Sequence, residues 1–157
     1  MQTARSGLPL ASFKVTGLRE LERALAELPK ATAKNTLKRT LKLAAQPIAD
    51  EAQRLAPRDT GGLAEGIMVT AKKPKKHKPK SGRAFAEIYI GPKAKSRNAV
   101  PQEFGTSKSV AQPFMRPAWD SKQNEALEII KSELGNQITK AAERLARKAA
   151  RKAAKGA

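Results

Sequence analysis

Cysteine is absent from the 157 residues, which excludes disulfides, thiolate metal sites and cysteine nucleophiles and fits a reducing compartment. Aromatic residues are scarce at 4%, so the core has to be built from Leu, Ile, Val and Ala rather than from large rings. Such a core is thin, and a protein that forms rings or filaments offsets that by burying surface between subunits. The single histidine, His77, lies among lysines, without partners at the spacing a metal site or a catalytic triad needs. The acids Asp50, Glu51, Asp59, Glu103 and Asp120 are scattered, and TGGL and the isolated Gly91 match neither a phosphate-binding loop nor a dinucleotide fingerprint. No catalytic residue, metal site or cofactor is therefore expected. The amino end lacks the apolar run of a signal peptide, and no stretch approaches the ~20 apolar residues of a membrane span. The expectation is a soluble protein without a membrane partner.

Positive charge is what the chain has in excess, +18 from 32 basic and 14 acidic residues, and it is concentrated. Residues 72–97 hold ten Lys or Arg against Glu87, and residues 140–157 hold seven against Glu143, so these two segments carry 15 of the 18 net charges. The remaining body is nearly neutral, and a polyanion is the expected neighbour. Solvated decoration that keeps a protein soluble is the plainer explanation. The functional one is contact with DNA phosphates, without base specificity, or with an acidic partner. The candidates are Lys72, Lys73, Lys75, Lys76, Lys78, Lys80 and Arg83 in the first segment and Arg147, Lys148, Arg151 and Lys152 in the second. No aromatics interleave with them, which argues against a stacking platform for single strands.

A chain of this length is one ordinary domain with one core. Ser12 to Val15 reads as a short strand, and GLRELERALAEL then places Leu18, Leu21, Leu25 and Leu28 at helical spacing, with Thr16 as N-cap and Pro29 as the stop. A longer helix from about Ala31 to Leu55 is interrupted by Pro47, which predicts a bend there or two helices meeting. APRDTGG is a turn by composition. Ile67–Ala71 and the alternating Phe85–Ile90 read as the strands of a hairpin. Its tip is KKPKKHKPKSGR, a stretch that cannot bury anything and is expected to be mobile. Pro92–Asn98 reads as a second basic loop. A helix starting at Pro117 puts Trp119, Leu127, Ile130 and Leu134 near one face, Gly135-Asn136 marks a break, and the alanine-rich basic end is a good helix former. The expected fold is α+β, with amphipathic helices packed on a small antiparallel sheet, a long basic hairpin loop and a helical basic C-terminal tail. The expected division is a single domain over residues 1–135, its mobile loop at 72–83, and the tail at 136–157.

Between these elements lies EFGTSKSVAQPFMRPAWD, residues 103–120, with half of the six aromatic residues. Gly105 suits a tight turn, while Pro113 and Pro117 keep the residues before them extended and start a helix. Glu103, Phe104, Gly105, Phe114, Met115, Arg116 and Trp119 are read as anchors of the core or as a subunit interface, and catalysis is their least expected role.

The order of motifs, GLRELERALAELPK, LKLAAQPIADEAQRLAPRDTGGLAEGI, AEIYIG and QEFGTSKSVAQPFMRPAWD, resembles the tail-component family of long-tailed phages and prophages. These are small proteins of the head-to-tail junction called neck, head-tail connector or tail-completion proteins. The likeness runs from about Val15 to Leu134. It is most specific at Ala56-Pro57 with Thr60-Gly61 and Leu63, at Glu103-Phe104-Gly105-Thr106, and at Pro113-Phe114 with Arg116-Pro117-Ala118. It implies a non-enzymatic virion protein, assembled in the host cytoplasm as a ring around the DNA channel, of six copies or alternatively twelve. The implied partners are portal, adaptor or head-closure proteins on one side, tail terminator or tail tube proteins on the other, and the genome DNA. A non-sequence-specific nucleic-acid-binding protein of a cell accounts for the charge but not for the motif order, and a toxin-like nuclease needs acids that this sequence does not cluster.

Overall fold

The computed structural model describes residues 17–58, 62–72 and 85–155. The expected strand Ser12–Val15, the Thr16 cap and most of the lysine loop lie outside them. Six elements follow in order: α1 (Leu18–Glu27), α2 (Lys30–Leu55), β1 (Ile67–Thr70), β2 (Tyr89–Pro92), α3 (Ala99–Phe104) and α4 (Met115–Lys155). The fold is α+β, helix-rich, with one two-stranded antiparallel sheet among the described residues.

In α1 the apolar residues Leu21, Ala24, Leu25 and Leu28 are all buried. Gly17 occupies the N-cap position with an extended backbone and no side-chain cap bond, and Leu28 leaves the helical region ahead of Pro29, as steric conflict with a following proline requires. α2 runs unbroken through Pro47, where a bend or a junction was expected. An interior proline costs a helix about 3 kcal/mol, and tertiary packing offsets it: Ala44, Ala45, Ile48 and Ala49 around Pro47 are buried. Thr36 and Thr40 are buried too, and the Thr40 hydroxyl donates to the Thr36 carbonyl at 3.2 Å, which satisfies it without a partner from elsewhere.

The main body is α2 laid antiparallel on α4. Ala33 shares a cluster with Leu134, Ile138 and Ala141 of α4 and with α1. Farther along, Ala44 and Ile48 meet Ala126, and Ala49, Ala52 and Ala56 meet Phe114 and Ala118 beneath the hairpin residue Ile67. Alanine on both helices is what permits close approach of the two backbones. The buried face of α4 is therefore Ala118, Ala126, Leu134, Ile138 and Ala141, while Trp119 and Leu127, expected on it, are exposed.

Gly135-Asn136 does not break α4, which spans 41 residues, about 62 Å at 1.5 Å per residue. Leu134 and Ile138 on either side are buried against α1, which outweighs the roughly 1 kcal/mol helix cost of one glycine. The basic C-terminal segment is thus continuous with α4, and its first residues share the core. α4 also begins at Met115, two residues before the expected Pro117.

The second strand starts four residues and ends two residues later than expected: Ile67 faces Pro92 and Thr70 faces Tyr89, so β2 is Tyr89–Pro92 rather than Phe85–Ile90. The Lys93 N–H donates to the Gly66 carbonyl at 2.9 Å, making that pair a hydrogen-bonded one. Ile67 and Pro92 are then a non-hydrogen-bonded pair, and the missing N–H of Pro92 points away from β1, where a strand tolerates it. Gly66 is confined as well, because a Cβ there would lie 2.9 Å from both the Gly62 carbonyl and the Ser96 hydroxyl.

Candidate functional site

The stretch from Glu103 to Asp120 folds around one carboxylate. Glu103 sits near the end of α3, a helix the sequence did not announce, and is only 6% exposed. α3 ends because Gly105 turns to φ 76. A side chain is strained at that angle, and a Cβ there would also lie 2.9 Å from the Ala111 nitrogen. The chain then makes a tight loop in which the Thr106 hydroxyl accepts the Lys108 and Ser109 N–H groups, and Gln112 N–H donates to the Gln102 carbonyl at 2.7 Å. This return brings Phe114 to Arg116 against Glu103.

The first four N–H groups of a helix have no partner within it. At the start of α4, Glu103 Oε2 accepts the N–H of Phe114 at 2.8 Å and of Met115 at 2.9 Å, and Oε1 accepts that of Arg116 at 3.1 Å. The fourth position is Pro117, which has no N–H, and the helical ladder begins with Ala118 N–H to the Phe114 carbonyl. Glu103 thus caps α4 completely from a distance in sequence. Its negative charge also lies at the positive end of a long helix dipole.

Arg116 closes the arrangement. Its Nε donates to Glu103 Oε1 at 3.0 Å, its Nη2 donates to the Glu103 carbonyl at 2.8 Å, and its guanidinium lies 5.0 Å from the centroid of the Phe104 ring. Burial pushes the Glu103 carboxyl up, but the N–H groups of Met115 and Phe114 and the side chain and N–H of Arg116 outweigh it and hold the group below its ordinary range.

Clamping Glu103 fixes two sides of the stretch differently. Phe114 enters the core at 1% exposed, whereas Phe104 is 65% and Trp119 53% exposed. Trp119 and Met115, with Ile48, Ile88 and Ile90, line an open and mainly apolar groove of about 550 Å³ between the hairpin and the start of α4, in which Arg116 and Asp120 supply the charges. The expected set therefore divides. Glu103 and Phe114 are buried, Gly105 is half-buried at the turn, and Phe104, Arg116 and Trp119 form an outward surface with half-buried Met115 beside them.

Of the basic candidates, Lys72 is exposed, its backbone N–H held by the Thr70 hydroxyl. Lys73, Lys75, Lys76, Lys78, Lys80 and Arg83, like His77, lie outside the described residues. Arg147, Lys148, Arg151 and Lys152 are exposed on the last turns of α4. Among the described residues no group of three His, Asp or Glu side chains is placed to hold a metal ion, and no helix is long and apolar enough to cross a membrane.

A long helix capped from afar, a small sheet and an exposed aromatic surface describe a protein whose fixed geometry is presented outward. The family described as "Bacteriophage HK97-gp10, putative tail-component" matches residues 19–105, more than half of the chain, from the first turn of α1 to the Gly105 turn. This chain belongs to that phage tail-component family. No curated protein and no solved structure gives a match.

Proposed function

We propose that this protein is a structural component of the phage head-to-tail junction, assembling with copies of itself as a ring that joins the portal or head-closure side to the tail. Family membership supports a place in the virion. The observation that carries assembly is the surface of Phe104, Arg116 and Trp119 beside the apolar groove. Two large aromatics left more than half exposed, in a chain with six in all, flank the Glu103 clamp in sequence rather than fold into the core. Exposed apolar surface next to a groove marks an interaction site, and a second copy is the occupant assigned here, because a patch that meets a different patch on its neighbour builds a head-to-tail array, which becomes a ring where the rotation between copies closes. Six copies fit a six-fold tail and twelve a twelve-fold portal.

Sedimentation of the wild type and of Trp119→Ala and Phe104→Ala, with neck partners present as template, tests the assignment. The expected result is folded variants that no longer enter the assembly. Normal incorporation of both would move the subunit contact elsewhere.

A further inference from the structure

Beyond Leu145, the last residue packed on the α1 cluster, α4 continues as a helix whose described side chains are all exposed. Lys140, Arg144, Arg147, Lys148, Arg151 and Lys152 recur at three- and four-residue spacing, so they form a continuous basic flank. Only Glu143 opposes them, paired with Arg147 at 3.6 Å on the surface. The helix dipole favours cations in the last turn, but its influence fades within that turn and does not account for Lys140 to Lys148. Like charges four apart, as at 144 and 148 or 147 and 151, repel on a helix unless an anion lies alongside.

We propose that this arm binds the phosphate backbone of duplex DNA. The rest of its composition selects that ligand. After Leu145 the chain holds only alanine, lysine, arginine and glycine, so it has no large apolar side chain to anchor in a protein groove or a lipid surface. It has no aromatic ring on which single-stranded bases could stack. The arm from Lys140 to Lys155 is about 22 Å long, over which duplex DNA presents about 13 phosphate charges, ample for every cation on one flank. Alanines occupy much of the remaining surface and let the helix approach the backbone closely. The proposal stands apart from the ring, since it concerns the free subunit as well.

Fluorescence anisotropy of the full-length protein with a labelled duplex of about 25 base pairs, titrated between 50 and 200 mM salt, tests it. Replacing Arg147, Lys148, Arg151 and Lys152 with Gln, which keeps good helix propensity, should flatten the log–log salt slope by up to about 3.6, at about 0.9 for each phosphate no longer neutralised. Affinity should remain equal for two unrelated duplex sequences. A control with the same charge change on exposed body positions, Lys30, Lys34, Arg39 and Lys42 to Gln, should leave the slope near that of the wild type. The proposal is overturned if the arm variant keeps the wild-type slope, or if the control flattens it equally, which would assign the effect to net charge. It is also overturned if polyglutamate competes as well as DNA at matched charge, which would assign the arm to an acidic protein surface.

Discussion

Removing the Glu103 carboxylate should unfold the junction between α3 and α4 before anything else. Glu103→Ala leaves three N–H groups at the start of α4 without an acceptor. Loss of a helix cap costs about 1–2 kcal/mol, and leaving the N–H of buried Phe114 unsatisfied adds about 1–2 kcal/mol. The Arg116 pair contributes little, because its side chain is 58% exposed and solvent screens such pairs to well under 1 kcal/mol. The expected total is about 3 kcal/mol, a fall in Tm of roughly 6–12 °C for a chain of this size. Glu103→Gln keeps one accepting oxygen and should lose about half as much, and Arg116→Ala about 1–2 °C. Thermal melts followed by far-UV circular dichroism give all three values. A Glu103→Ala variant within 2 °C of the wild type would refute the capping role, and an Arg116→Ala loss equal to it would show that the ion pair, not the cap, holds the loop. The sign of the pH dependence follows from the depressed carboxyl: its stabilisation is complete above the ordinary glutamate value of about 4.3 and is lost as pH falls through the lower folded value. The gap between wild type and Glu103→Gln should therefore be constant from pH 6 to 8 and close as the pH falls below about 4.

Two further substitutions separate core from surface. Phe114→Ala should cost about 3–5 kcal/mol and show in the melt, whereas Trp119→Ala should cost under about 1 kcal/mol for folding and appear only in assembly. A Trp119→Ala melt as low as that of Phe114→Ala would place Trp119 in the core instead. Gly105→Ala should lower stability by about 1–3 kcal/mol, since φ 76 and the approach of Ala111 both exclude a Cβ; a wild-type Tm would mean that the loop relaxes freely.

Leucine spacing and Pro29 made α1 legible in sequence, and the alternation around Ile88 announced a hairpin. Its register was not legible, because it rests on the Lys93 to Gly66 bond and on a proline that fits only at a position facing away from β1. The buried face of α4 is not legible from its large side chains, because close packing of α2 on α4 selects Ala118 and Ala126 and turns Trp119 outward. Thr36 and Thr40 are polar yet buried, and one turn of separation lets the Thr40 hydroxyl donate to the Thr36 carbonyl. The anchoring character of 103–120 is legible in its aromatics, glycine and prolines, but the task of Glu103 is hidden by its distance in sequence from the helix it caps. One signal was present: Gln112-Pro113-Phe114 offers no Ser, Thr, Asp or Asn to cap a helix that follows at once, so an acceptor had to come from elsewhere.

Particle images of virions from the phage that encodes this protein, made with and without its gene, test the central claim most directly. A closed ring of this subunit is expected between head and tail in the intact particle, with the Trp119 face in subunit contact, and heads without tails when the gene is removed. Tailed particles in its absence, or density for a single unassembled copy, would contradict it.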